Sequence, residues 1–222
     1  MKILFMGTPD FARSILEALL GAGENVAAVV TQPDKPKGRK MLLTPPPVKE
    51  CALAHGIPVW QPATLKDGAF LAEINEIAPD VILVAAYGKI LPAYVLDYPK
   101  YGCINAHASL LPRHRGAAPI QRAILEGDAV TGVTAMYMAA GLDTGDMILK
   151  EEVTIAPEDD FGTLHDKLAE AGGRAMLETL ARLRAGTITR EAQSDADATY
   201  AAKIGNEDCL LDFARPVREV HD

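Results

Sequence analysis

"MKILFMGTPDFARSILEALLGAGENVAAVVT", residues 1–31, holds two short apolar runs separated by one amphipathic stretch. Residues 2–6 (KILFM) are apolar enough for a buried strand, and residues 25–31 (NVAAVVT) supply another. Between them Ile15, Leu16, Leu19 and Leu20 recur at the three-four spacing of a helix face, with Asp10 placed to cap it and Gly21 or Gly23 to stop it. Strand, helix and strand in that order make a right-handed crossover, the repeating unit of a parallel α/β sheet.

The same signals continue downstream. "DVILVAAYG" (80–88) and "GCINAH" (102–107) read as buried strands, and "GVTAMYMA" (132–139) and "MILKEEVTI" (147–155) as later ones around the turn "GLDTGD" (141–146). "PVKECALAHG" (47–56), "LKDGAFLAEINEIAP" (65–79) and "GAAPIQRAILEG" (116–127) have helical character, and "PVW" (58–60) is a short strand. Phe161, Leu164, Leu168, Ala171, Ala175, Leu180 and Leu183 keep helical spacing through one long amphipathic helix. Residues 32–47, with five prolines and a basic run, predict a long exposed loop of the kind that carries function. The expected architecture is α/β: a mainly parallel sheet with helices on both faces over residues 1–186. A polar, alanine-rich linker over 187–205 follows, then the start of a second, truncated domain over 206–222, where "RPVREVHD" reads as a helix cut short.

With 49% hydrophobic and 23% charged residues, the chain can bury an ordinary core, filled mainly by aliphatic side chains because aromatics are only 5%. Cys51, Cys103 and Cys209 are far apart with no metal-ligand spacing, which fits a reduced, cytoplasmic compartment. Neither a signal-peptide core nor a run of membrane-spanning length is present, so no membrane partner is expected. A net charge of −8 excludes a generally basic nucleic-acid-binding surface, although "DKPKGRK" concentrates Lys35, Lys37, Arg39 and Lys40. Such a run is either a solvated loop or a phosphate contact, and composition leaves both open.

Candidate chemistry concentrates in "NAHASLLPRHRGAAPIQ", residues 105–121. Alternate residues of an extended chain share a face, so Asn105, His107 and Ser109 would point together if the strand runs through them. Ser109 lacks the glycine-flanked elbow of a nucleophile, and Gly7 lacks the glycine pattern of a dinucleotide loop. His107 and His114 lack metal-ligand spacing, and no metal is expected; His55 and His165 are expected to face solvent, and His221 lies in the tail. Asp143 sits in a glycine-bracketed turn, where an aspartate commonly serves the turn itself. Beyond the carboxyl edge of a parallel sheet, however, it would meet Asn105 and His107. There the amide would steady a developing oxyanion, the imidazole would share that task or move a proton, and the carboxylate would orient the ring.

The stretch "NAHASLLPRHRGAAPIQRAILEGDAVTGVTAMYMAAGLDTGDMI" resembles the folate-dependent formyltransferases. "MGTPDFA", "TQPDKPKGR", "PPPVKECA", "VAAYGKILP" and "YAAKI" extend the likeness to about residue 213, and the "TQPDKPKGR" loop points to the branch acting on methionyl-tRNA. The resemblance implies a Rossmann-like catalytic domain that transfers formyl from 10-formyltetrahydrofolate to the α-amine of initiator methionyl-tRNA, in a monomer serving translation initiation. It implies Asn105, His107 and Asp143 as the catalytic trio. Folate contacts would come from Ser109, Leu110, Leu111 and Pro112, and from Ala86, Tyr87, Gly88, Ile90 and Leu91. Lys35, Lys37, Arg39 and Lys40 would meet the tRNA. Sugar-nucleotide and glycinamide ribonucleotide formyltransferases, a formyltetrahydrofolate hydrolase and a non-catalytic nucleotide-binding module remain the alternatives.

Overall fold

A computed structural model describes residues 1–214, 216, 217 and 220. Arg215, Arg218, Glu219, His221 and Asp222 are not among them, so most of the expected helix over 215–222, and the tail histidine, lie outside the described residues. In chain order the elements are β1 (Ile3–Gly7), α1 (Asp10–Gly21), β2 (Val26–Val30), β3 (Lys35–Lys37), β4 (Leu42–Thr44), α2 (Pro47–Ala54), β5 (Val59–Trp60) and α3 (Leu71–Ile77). There follow β6 (Val81–Ala85), α4 (Ala93–Leu96), β7 (Cys103–His107), β8 (Arg115–Gly116), α5 (Pro119–Leu125), β9 (Val130–Tyr137), β10 (Met147–Thr154), α6 (Phe161–Ala185) and β11 (Tyr200–Ala201).

Among the described residues the main sheet has seven strands in the order β10-β9-β7-β6-β1-β2-β5. The β1–β2, β1–β6, β2–β5 and β6–β7 pairings are parallel, while β9 and β10 are antiparallel additions beside β7. The sheet is thus the expected mainly parallel Rossmann-like one.

Strand alternation explains why helices cover both faces. In β1, Ile3 and Phe5 join the cluster formed with α1 and α6, whereas Leu4 and Met6 join the one formed with α3 and α4. On the first face α1 and α6 lie close because Gly172 and Gly173 face Ile15 and Ala18. A methyl added at Gly172 would sit 2.8 Å from Ile15 Cδ1. The α6 helix opens with a reciprocal cap, Thr163 N–H donating to Asp160 Oδ1 and Thr163 Oγ1 accepting from Asp160 N–H, and it closes at Gly186 in the left-handed conformation.

Three local expectations change. Residues 32–47 are not a structureless loop: β3 and β4 pair antiparallel, with Pro36 opposite Leu43, in an isolated two-stranded ribbon where a proline costs no interior ladder bond. The helix expected over 65–79 is confined to Leu71–Ile77, because Gly68 at φ 75° shapes a turn before it. Asp10 is the first residue of α1 rather than its side-chain cap, Pro9 taking the cap position. Residues 187–205 fold back against the domain: Glu191 and Met147 exchange backbone hydrogen bonds, and β11 pairs in parallel with β8. No helix among the described residues is long and apolar enough to cross a membrane.

Candidate active site

Parallel strands β6 and β7 end at the same edge, and their ends define a cleft of about 800 Å3, within the range of small-molecule sites. One wall is the segment after β6, Ala86–Leu91, in which Ala86 takes a left-handed turn (φ 43°) and the chain swings away from the sheet. Tyr87 and Leu91 are buried there, while Ile90 stands exposed at the lip. Burial pushes the Tyr87 phenol up to about 12, so it is a neutral hydroxyl at every physiological pH. Asn105 and His107, two residues apart on β7, share the other side of the strand from core residues Ile104 and Ala106 and line the cleft. Among the described residues the Asn105 amide has no protein hydrogen-bond partner, so both of its donors remain available to a ligand.

The strand stops at His107, two residues short of Ser109. From there the chain curls beneath the site. Ser109 Oγ donates to the Arg113 carbonyl at 2.7 Å, and Thr134 Oγ1 donates to the Ser109 carbonyl at 2.7 Å while accepting from Leu111 N–H at 3.1 Å. Leu111 is buried against Met136 and Met147, and the Leu111–Pro112 peptide is cis. Ser109, Leu110, Leu111 and Pro112 therefore do not join the cleft lining. They form the turn that supports it.

That turn returns to His107. His114, in a left-handed conformation (φ 58°), presents its carbonyl 2.8 Å from His107 Nε2. A carbonyl only accepts, so Nε2 carries the ring proton and Nδ1 of the neutral ring holds the lone pair. Nδ1 lies 3.7 Å from Asp143 Oδ2, a separation longer than a hydrogen bond but within ion-pair range. Both side chains are shielded, His107 at 7% and Asp143 at 17% exposure, so a charge on either is screened less than at the surface. Asp143 also has a positive φ of 51°, and its Oδ2 accepts the Gly116 N–H at 2.9 Å. Gly116 is required at its own position, since a Cβ there would stand 2.7 Å from the Ala201 carbonyl oxygen.

The trio expected from sequence is thus brought together. His165, expected to face solvent, instead lines the far end of the cleft beside the rings of Phe11 and Phe161, 6.1 and 5.7 Å away. Lys35 and Lys37 lie on β3, with Arg39 and Lys40 in the turn after it, all four exposed. Lys35 donates to Gln32 Oε1, and the other three have no acidic partner among the described residues. Met41, Leu42 and Leu43 in the same ribbon are 67%, 65% and 72% exposed. At the ribbon's base Asp34 is held below the usual carboxylate range by hydrogen bonds from Gln61 and then Lys49.

Among the described residues, His114, Glu126 and Asp128 bring ligand atoms within 4.8 Å of one another, close enough to share a cation. Arg113 already occupies that charge, reaching Asp128 at 2.9 Å and Glu126 at 3.6 Å, and His114 Nε2 is 2.7 Å from Asp128. It is a salt-bridge network beneath the site.

Sequence reasoning missed Gln193, whose side chain donates to the carbonyls of Asp143 and Gly145, both at 2.8 Å. A glutamine 50 residues downstream in a polar stretch carries no local signal of that contact.

The formyl transferase family model matches residues 1–180. The chain belongs to the formyl transferase family. It is 53% identical over 220 residues to the methionyl-tRNA formyltransferase of Marinobacter nauticus, covering 99% of this chain and 71% of that one. To the methionyl-tRNA formyltransferase of Bacillus licheniformis it is 54% identical over 215 residues, covering 97% and 68%. Among solved structures, phosphoribosylglycinamide formyltransferase from Bacillus halodurans superposes with a TM-score of 0.66 at 27% identity, over 81% of this chain and 95% of that one. A sugar 3N-formyl transferase, WlaRD, crystallised in the presence of dTDP and 5-N-formyl-THF, gives 0.72 at 19% identity over 100% and 77%, a likeness of fold alone. In this formyl transferase the polar trio and every cleft-lining residue but Tyr200 fall inside the family-matched residues, whereas Gln193 and β11, which carries Tyr200, lie beyond them.

Proposed function

We propose that this formyl transferase moves the formyl group of 10-formyltetrahydrofolate to the α-amine of initiator methionyl-tRNA, the step that prepares the initiator for translation. The carrying observation is an Asn105 amide with no hydrogen-bond partner among the described residues, beside a His107–Asp143 pair at the floor of one cleft.

A formamide is a weak electrophile, so charge building on its oxygen needs donors already in place. Asn105 supplies them. As the amine adds to the formyl carbon, a new C–N bond forms and a proton must leave the amine nitrogen. The bond from carbon to the folate N10 then breaks, and N10 ends with a proton. With Nε2–H committed to the His114 carbonyl, His107 can exchange a proton only at Nδ1, the atom that faces Asp143. A proton arriving there is stabilised by the carboxylate without either group moving far.

In this reading the Ala86–Leu91 wall takes the folate ring system, with Ser109–Pro112 supporting the floor. The ribbon carrying Lys35, Lys37, Arg39 and Lys40 meets tRNA phosphates, and its exposed Met41, Leu42 and Leu43 add apolar contact. Formyl transfer from 10-formyltetrahydrofolate, assayed in parallel with methionyl-tRNA, an amino-sugar nucleotide, glycinamide ribonucleotide and water as acceptors, tests the assignment. Methionyl-tRNA should be preferred by orders of magnitude. Equal or faster transfer to another acceptor contradicts it.

A further inference from the structure

Asp143 stands in a left-handed backbone conformation, φ 51°, which a non-glycine residue keeps where its surroundings hold it. Part of what holds it comes from chain beyond the family-matched residues. Gln193 spends both amide hydrogens on the acidic turn, one on the Asp143 carbonyl and one on the Gly145 carbonyl, each at 2.8 Å. Its Oε1 accepts from Arg115 Nε at 2.8 Å. Arg115 is followed by Gly116, whose N–H holds Asp143 Oδ2 at 2.9 Å. One side chain therefore ties the backbone of the acidic turn to the very strand that grips its carboxylate.

We infer that Gln193 is a positioning residue for Asp143, setting the carboxylate's place opposite His107 Nδ1 by fixing the turn and β8 relative to each other. This rests on the role proposed for Asp143. The segment carrying Gln193 has other anchors of its own: Glu191 against Met147, Arg115 to Asp195 at 2.9 Å, and the β8–β11 pairing. Removing the Gln193 amide thus leaves the segment attached and frees the turn. Catalytic groups must be held to about half an ångström, so loss of this tie should appear in the chemical step rather than in donor binding.

The test uses the whole chain with Gln193→Met, Gln193→Glu, Asp143→Asn and the Gln193→Met/Asp143→Asn double variant. The readouts are kcat for formyl transfer to methionyl-tRNA and the affinity for the unreactive 5-formyltetrahydrofolate. Gln193→Met should lower kcat by on the order of 10²-fold, the effect of a small misplacement of a catalytic group. Affinity for 5-formyltetrahydrofolate should stay within about twofold, and in the Asp143→Asn background Gln193→Met should cost less than about twofold more, because both changes act through one carboxylate. Gln193→Glu keeps the acceptor for Arg115 but has no hydrogens for the two carbonyls, so it should be as slow as Gln193→Met.

Near-normal kcat in Gln193→Met beside a slow Asp143→Asn overturns this inference alone. So does rescue by Gln193→Glu, a multiplicative loss in the double variant, or donor affinity that collapses with turnover in both Gln193 variants. A fast Asp143→Asn overturns instead the role proposed for Asp143, and this inference with it.

Discussion

The cleft edge of β7 and the β3–β4 ribbon carry the two halves of the proposed function, and they are built in opposite ways. At the edge of β7 each side chain of the trio but Asn105 has a tether among the described residues: His107 through Nε2 to a backbone carbonyl, Asp143 through Oδ2 to Gly116 N–H, with the turn around it held by Gln193. In the ribbon, by contrast, Lys37, Arg39 and Lys40 project into solvent without acidic partners among the described residues, beside apolar side chains more than 60% exposed. Bond-making needs groups fixed to a fraction of an ångström, because reorganisation during the reaction is what preorganised dipoles avoid. Gripping a polyanion needs reach and unneutralised charge, which a tether would spend.

That contrast can be broken first at the cleft. Asn105→Ala, which removes the free donors, should lower kcat by on the order of 10²–10³-fold with little change in donor affinity. Steady-state kinetics checks it, and a matching rise in donor KM with unchanged kcat would put Asn105 in binding instead. A ribbon variant should behave the other way round. Arg39→Ala should leave kcat for saturating methionyl-tRNA nearly unchanged, raise its KM, and reduce the slope of log K against log salt by about 1 if one phosphate contact is lost. A salt-independent effect would remove Arg39 from the phosphates.

The fold that supports the cleft should respond only in stability. Ile15 is fully buried where α1 packs on Gly172 of α6, so Ile15→Ala should cost about 2–5 kcal/mol in chemical denaturation. Below it in size comes an acid effect. Asp159, buried at the start of α6, is held below the usual carboxylate range chiefly by Lys167, whose Nζ is 2.6 Å away. A carboxyl whose folded pKa is lowered stabilises the fold above its unfolded value of about 3.9 and loses that contribution as pH falls through the folded value. The difference in melting temperature between wild type and Lys167→Met should therefore be largest near neutrality and shrink in acid. A gap that widens in acid contradicts the pairing. The smallest change expected is chemical: in the native protein a thiol reagent should modify exposed Cys209 well before Cys103, which is buried and pushed up to about 12.

How far the sequence went depended on whether a feature is local. Helix faces such as Ile15, Leu16 and Leu19 and the strand pair over residues 2–6 and 25–31 are written in short periods, and they stand in the structure as read. The Asn105–His107 spacing is equally local. Its extension to Ser109 failed because the strand ends at His107 and the hydroxyl turns to the Arg113 carbonyl. The ribbon was hidden by its prolines, which argue against an interior strand but not against a two-stranded edge. Least legible were the tethers: the His114 carbonyl depends on a left-handed residue, and Gln193 reaches its partners across the fold. Asp143 was legible only as a turn residue at the right sheet edge, and its distance from His107 is set by these non-local bonds.

A crystal structure of the protein with 5-formyltetrahydrofolate bears on the central claim most directly. The account predicts the formyl group at the floor of the cleft, its oxygen at hydrogen-bond distance, about 2.7–3.2 Å, from the Asn105 amide nitrogen, and the His107 ring and Asp143 beside it. A formyl group bound away from β7, with Asn105 and His107 facing only solvent, would contradict it.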